Sequence, residues 1–347
     1  MAATLIAPDE VRLGEVDRRG PDYVRWVQQS LNRLTGSRIK VDGVLGAQTR
    51  AAVQAFQRRR GLVADGVVGP STESALVAAG AGPPSRPAAA GPPALVKRDD
   101  RPPALTLYLG IKLGGEGRAR PLTGVFIPPG YRLPRTATDG PAVDLILWLR
   151  GFHREEPSEA IDRYWDAGRR SDRAFREGVN QSGKNVLLVA PTLGPRSEAG
   201  SLVRRGGLDA YLDRVLSGLS AHGPAPFAGR RPVLGNLILA CHSGGGLPMR
   251  QLATGGDRAA AAVRECWGFD CLYNRGDAEI WGDWARRRPR ARLYIRHLSG
   301  TATQSTALRQ QGLPNVSVAR SPARNHDFVP IAHWAERIRA APFLEPR

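Results

Sequence analysis

One short pattern occurs twice near the start of the chain. Residues 41–53 recur as residues 64–76 at a constant offset of 23 positions, so that Asp42 matches Asp65, Gly46 matches Gly69, Thr49 matches Thr72 and Val53 matches Leu76. In each copy an Asp-Gly pair predicts a tight turn, because glycine accepts positive φ and aspartate bonds its own backbone. The second glycine lets the chain turn into a helix opened by polar capping residues, with Pro70 where a first helical turn tolerates it. Val24, Val27, Leu31 and Leu34 recur at helical spacing before the first copy, and Val53 and Phe56 do so after its turn. The repeat therefore predicts a small all-α module with two matching loops over residues 1–80.

Residues 27–34 (Val-Gln-Gln-Ser-Leu-Asn-Arg-Leu), followed by Val41, Asp42, Gly43, Gly46 and Thr49, carry a recognisable motif. It continues through Ala52, Val53, Phe56, Gln57, Gly61 and Leu62 to Asp65, Gly66, Val68, Gly69, Pro70 and Thr72. Together these residues resemble the peptidoglycan-binding domain found on many wall hydrolases. The resemblance implies peptidoglycan or another bacterial wall glycan as partner. Almost all the matching residues are turn glycines, caps or core apolar positions, so they speak to the fold more than to the ligand.

Residues 81–103 are rich in Pro, Ala and Gly and read as a semi-extended linker. With 347 residues, 41% of them hydrophobic, the chain is long enough for two domains and at least one large core. No stretch has the ~18 apolar residues of a membrane helix, so no membrane span is expected. Residues 1–10 are short of an apolar run and carry acids early, unlike a secretory signal. A location in the cell envelope or outside the cell would then require a non-standard export route.

The net charge of +18 comes almost wholly from arginine, since the lysines are only Lys40, Lys97, Lys112 and Lys184. With abundant Ala and Gly, this reads as GC-rich coding bias as readily as selection for an anionic partner. No nucleic-acid motif accompanies the charge, and no nucleic-acid partner is expected. Cys241, Cys266 and Cys271 form no disulfide framework and no zinc spacing; they read as buried small hydrophobes. Neither a metal nor a cofactor is expected.

From residue 104 to the C-terminus, apolar runs alternate with amphipathic stretches. Residues 105–109 and 124–127 read as opening strands. Residues 144–149, 185–190, 236–240, 266–269, 292–296 and 316–319 read as mostly buried strands. Several are too continuously apolar for a one-faced sheet, which favours a parallel sheet covered on both sides. Segments such as 208–219 and 246–253 have helical spacing. The pattern predicts a mostly parallel, doubly wound α/β domain over residues 104–347.

In such sheets, sites gather at the carboxyl ends of strands. The strand ending at Ala240 is followed by Cys241, His242, Ser243, Gly244, Gly245 and Gly246. A serine with small residues two positions before and after it, between a buried strand and a helix, is the nucleophile-elbow arrangement. Cys241 stands where the first glycine is usual.

His326 lies in the segment 324–330, after the last strand and before the C-terminal helix. This resembles the loop where the α/β-hydrolase family keeps its catalytic histidine, in the chain order serine, acid, histidine. His297 reads as a packed strand residue, His333 sits on the terminal helix, and His242 is expected to point away from the serine. No Asp or Glu lies between Trp284 and His326, so the family's commonest acid position is empty. Some lipases of this fold carry the acid one strand earlier, where Asp270 stands; Asp277 and Asp283 remain alternatives. The oxyanion hole needs two N–H donors. The resemblance implies Gly244 and, after the strand ending Trp148-Leu149, Phe152 in a loop similar to the family's His-Gly-Phe, with Arg150 replacing the histidine. On topology alone, the loop 191–201 is expected to line the pocket.

These features imply a wall-targeted serine hydrolase working through an acyl-enzyme on an ester, less readily an amide. Envelope lipids, acyl groups on wall polymers and peptide stems are all candidate substrates. A wall-binding protein that keeps the hydrolase fold without activity, or a delivered toxin or phage-type lysin, are the alternatives.

Overall fold

The computed structural model describes residues 20–81, 91–101, 105–133, 141–152, 160–166 and 170–347. Residues 1–19 and the central part of the expected linker, 82–90, lie outside that set. The chain divides into two units, Met1–Ala89 and Ala90–Arg347.

The first unit is helical: α1 (Gly20–Thr35), α2 (Ala47–Arg59) and α3 (Pro70–Leu76), the last continuing into a further helical turn, Val77–Ala81. Tyr23, Val24, Val27, Leu31, Val53, Phe56, Val68 and Leu76 form its core, so the apolar spacing of the sequence does face inward. Two buried glutamines pin the repeated loops. Gln28 Nε2 lies 2.9 Å from Asp42 Oδ1, 3.0 Å from the Val44 carbonyl and 3.1 Å from Thr49 Oγ1, while Gly43 N–H donates to Gln28 Oε1 at 3.0 Å. Gln57 repeats the pattern with Asp65, Val67, Thr72 and Gly66 at 2.8, 2.8, 3.1 and 2.8 Å. Each loop thus has its polar groups satisfied by one amide, a buried group that is costly to remove.

Among its described residues the second unit is built on nine strands: β1 (Leu95–Asp99), β2 (Thr106–Gly110), β3 (Leu122–Phe126), β4 (Ala142–Leu149), β5 (Leu187–Pro191), β6 (Val233–His242), β7 (Val263–Phe269), β8 (Arg292–His297) and β9 (Val316–Arg320). Their order in the single sheet is β1-β2-β3-β5-β4-β6-β7-β8-β9. β1, β2, β3 and β5 pair antiparallel in succession, and every pairing from β5 through β4 to β9 is parallel. This is the mostly parallel, doubly wound α/β architecture that the alternation of apolar runs predicts.

Side chains along β4 separate by parity, as the pleat requires. Leu145, Leu147 and Leu149 join a core with residues of α6 (Gly207–His222), α7 (Gly246–Thr254), α8 (Asp277–Arg287) and α9 (Ala302–Gln310). Ile146 and Trp148 join a second core on the other face, with residues of α4 (Ile161–Asp166), α5 (Arg170–Ser182) and α10 (Val329–Arg339). Trp334 of α10 is the hub of that second core. Its ring lies 5.2 Å from Trp148, 5.2 Å from Phe175 and 5.8 Å from Trp267, and its Nε1–H donates to the Phe175 carbonyl at 2.8 Å. Truncating an aromatic buried this way costs about 3–5 kcal/mol. The helix it anchors starts three residues after His326, so this packing also holds the segment that carries the expected base.

The stretch 81–103, expected to be a linker throughout, differs in its second half. Leu95–Asp99 forms β1, antiparallel to β2. An edge strand needs backbone partners more than an apolar face, and β1 is mostly exposed; its composition therefore resembles a linker's. Its inner end is held by Asp99, which is buried and accepts from Arg101 Nε at 2.8 Å. Among the described residues no helix is long and apolar enough to cross a membrane.

Candidate active site

Strand β6 ends in His242, and the chain turns at Ser243 with φ 52° before α7 begins at Gly246. A non-glycine residue in the left-handed region costs about 1–3 kcal/mol and is kept where the surroundings enforce it. Here the enforcement is close packing. A Cβ on Gly245 would fall 2.3 Å from the Leu149 carbonyl oxygen, and one on Gly151 would fall 2.7 Å from Ser243 Cβ. Only glycine lets the end of β4 pass so near the elbow. Cys241, two residues before the serine, is fully buried, so a small side chain suffices there. All three cysteines are free and buried.

Asp270 follows β7 and has φ 49°. Its N–H donates to the Arg296 carbonyl at 2.7 Å, which ties the turn to the neighbouring strand. Oδ2 meets His326 Nδ1 at 2.7 Å, and Oδ1 accepts from Leu298 N–H at 2.9 Å and from the Thr301 hydroxyl. Burial pushes this carboxyl up, but the hydrogen bonds from His326, Thr301 and Leu298 outweigh it and hold the pKa at about 2. The carboxylate is therefore an acceptor above that pH. Nδ1 of His326 must carry the proton, leaving the Nε2 lone pair free on the neutral ring.

His326 opens the short turn His326–Phe328, which Asn325 caps by accepting from Phe328 N–H at 3.3 Å. The ring of His242 packs 4.3 Å from that of His326, and His242 Nε2–H donates to the His326 carbonyl at 3.1 Å. Burial first, and the neighbouring His326 second, push the His242 pKa down to about 3. His242 thus stays neutral at ordinary pH and acts as a support for His326.

Ser243 interacts with the hydroxyl of Tyr273, whose ring lies 6.4 Å from that of His326. Among the described residues no direct hydrogen bond joins Ser243 Oγ to the His326 ring. Such contacts are often loose in the absence of substrate. A Cβ on Gly244 would lie 3.3 Å from Phe152 N, so the two expected oxyanion donors are neighbours. Phe152, Leu247 and Tyr273, all exposed, come from segments at the C-terminal ends of β4, β6 and β7.

Of the expected site residues, the structure brings Asp270 onto His326 and Phe152 next to Gly244. It sets Ser243 one residue from the histidine that supports His326. The alternative acids are engaged elsewhere: Asp277 is buried against Arg250 and Asn274, and Asp283 pairs with Arg286 at 2.6 Å. His297 is buried at the end of β8, and His333 bonds Ser321 Oγ at 2.9 Å. Thr301, Tyr273 and the supporting role of His242 were not legible in the sequence. Among the described residues no group of three or more His, Cys, Asp or Glu is placed to hold a metal ion.

Residues 21–76 match the family model of a peptidoglycan binding domain. A curated relative, the zinc D-Ala-D-Ala carboxypeptidase of Streptomyces albus G, is 53% identical over 38 residues, which are 11% of this chain and 15% of the relative. Among solved structures, an uncharacterised protein from Capnocytophaga ochracea is 10% identical with a TM-score of 0.41, covering 67% of this chain and 62% of that one. The BES protein from Bacillus cereus is 13% identical with a TM-score of 0.40, over 70% of this chain and 98% of that one. The fluorophosphonate-binding serine hydrolase F of Staphylococcus aureus, with substrate bound, is 13% identical with a TM-score of 0.37, over 72% and 96%. The chain thus spans less than two thirds of the first relative in each comparison.

The Asp270 shift has a measurable sign. Its folded-state pKa lies below the ordinary 3.8, so its stabilising effect is full above about pH 4 and is lost as pH falls toward about 2. In urea titrations, the stability advantage of wild type over Asp270→Asn should persist down to about pH 4 and shrink between about pH 4 and 2. A gap that stays constant through that window would contradict the bonding described.

Proposed function

We propose that the chain is a serine hydrolase held at the bacterial cell wall, cleaving an ester of an envelope component through an acyl-enzyme. The carrying observation is the 2.7 Å contact of His326 Nδ1 with an ionised, fully bonded Asp270, beside a serine on a strained strand-to-helix turn. Asp270 keeps the proton on Nδ1, so Nε2 is the basic nitrogen available to Ser243. Ser243 Oγ attacks the carbonyl carbon and its proton passes to His326 Nε2. The oxygen that gains charge is received by the N–H groups of Gly244 and Phe152. His326, now protonated, returns the proton to the leaving oxygen as the C–O bond breaks. Water, activated by the same nitrogen, then releases the acyl group from Ser243.

The exposed apolar side chains of Phe152, Leu247 and Tyr273 suit a substrate with an apolar acyl or aromatic part, which favours an ester over a peptide stem. The module at residues 21–76 supports the wall as the place of work. The contact of Ser243 with Tyr273 favours a second reading, a wall-binding protein whose hydrolase fold is inactive.

Activity-based labelling separates the two. Wild type should react with a fluorophosphonate probe and turn over a p-nitrophenyl ester, and Ser243→Ala should do neither. Undiminished labelling of Ser243→Ala would remove the proposed nucleophile, and an inert wild type would favour the binding protein. The wall half is checked by co-sedimentation with insoluble peptidoglycan. The full chain should pellet, and a chain lacking residues 1–89 should stay in the supernatant while keeping its esterase activity.

A further inference from the structure

Beside the expected oxyanion donors lies a serine to which neither the sequence motifs nor the proposed triad gives a role. Ser197 stands in the loop that follows β5. Its residue surface is 4% exposed, its φ is 66°, and its hydroxyl has no hydrogen-bond partner in the structure. Each of these is unfavourable taken singly. A buried hydroxyl without a partner forfeits its hydration, and a left-handed backbone is strained for any residue with a Cβ. Glycine would relieve both, yet serine is present.

The direction of that hydroxyl is given by Gly244. A Cβ built on Gly244 would lie 2.9 Å from Ser197 Oγ and 3.3 Å from Phe152 N. The hydroxyl and the Phe152 N–H therefore converge beside the residue that follows the nucleophile, in space that a side chain at position 244 would otherwise fill. The loop carrying Ser197 is braced rather than adaptable. Ser197 N–H donates to the Gly194 carbonyl at 2.9 Å, Gly194 N–H donates to the Glu198 carbonyl at 3.0 Å, and Arg196 N–H donates to Glu198 Oε2 at 2.8 Å. The base of the loop is fixed to β3, with Thr192 N–H donating to the Leu122 carbonyl at 2.7 Å.

We propose that Ser197 is a third donor of the oxyanion hole, its hydroxyl reaching the substrate oxygen that becomes negative when Ser243 adds to the carbonyl. This rests on the serine-hydrolase reading. The unpartnered hydroxyl then has its partner only in the reacting complex. That is the condition under which a donor lowers the barrier without tightening ground-state binding. The step is a hydrogen bond and leaves the covalent balance unchanged: the serine proton still goes to His326.

Ser197→Gly is the informative variant, because glycine suits φ 66° and removes only the hydroxyl. Its kcat for a p-nitrophenyl ester, and its second-order rate of labelling by a fluorophosphonate, should fall on the order of 10–100-fold. KM should stay within about twofold and the melting temperature should hold or rise. Ser197→Ala should lose the same activity with its melting temperature unchanged or raised, because it deletes the unpartnered hydroxyl and keeps the same Cβ in left-handed backbone. A Ser197→Gly enzyme with wild-type kcat and labelling rate would overturn the proposal while leaving the hydrolase reading intact. A wild type that neither labels nor turns over ester would instead overturn that reading, and this one with it.

Discussion

Asp270 is the carboxylate on which the candidate site depends. One oxygen accepts a hydrogen bond from His326 Nδ1–H, and the other is held by Leu298 N–H and the Thr301 hydroxyl from the loop after β8. The acid at the end of one strand is thus secured by the end of the next. Those bonds more than offset the cost of burying the charge and keep the group ionised at about pKa 2. An ionised acceptor at 2.7 Å determines which nitrogen of His326 is basic, and the proposed proton transfer follows from that. His242 completes the support by packing its ring, tilted by 38°, against that of His326 and bonding the His326 carbonyl. It is itself held neutral, so it adds no competing charge.

Much of this was legible in the residues. The continuous apolar runs marked β2 to β9, and the small residues around Ser243 marked the elbow, because both follow from packing rules that act along the chain. Strand β1 escaped detection because an edge strand is held by backbone bonds and shows no apolar face. Thr301, Tyr273 and Ser197 escaped for another reason. Each belongs to a different loop, and they come to the same end of the sheet only once the strands are set in the order β5-β4-β6-β7-β8. The empty acid position after β8 was visible in the sequence; that the same loop supplies the Thr301 hydroxyl and Leu298 N–H to Asp270 was not.

The helical module shows a similar division. Its turn glycines and caps repeat at an offset of 23, and the repeat is plain by eye. The glutamines that satisfy its two loops, Gln28 and Gln57, do not share that offset, since they sit on the helices before the loops rather than within the repeated stretch. A repeat search aligned on the turns passes them by, although each makes the same set of bonds. In both units the polar residues that hold loops in place are distant in sequence from what they hold, whereas the apolar residues announce themselves by period. The residues left in left-handed backbone, Ser197, Ser243 and Asp270, are the non-glycine ones with positive φ among those described, and all fall at the candidate site. Backbone strain is gathered where the proposed chemistry would use it.

The claim on which the account turns is the tautomer of His326. Nitrogen-15 NMR of the labelled protein, with the resonance assigned through His326→Gln, reads it directly. The account predicts that neutral His326 carries its proton on Nδ1 in wild type, with Nε2 unprotonated, and that this preference is lost in Asp270→Asn. A neutral His326 protonated on Nε2 in the wild-type protein would contradict it.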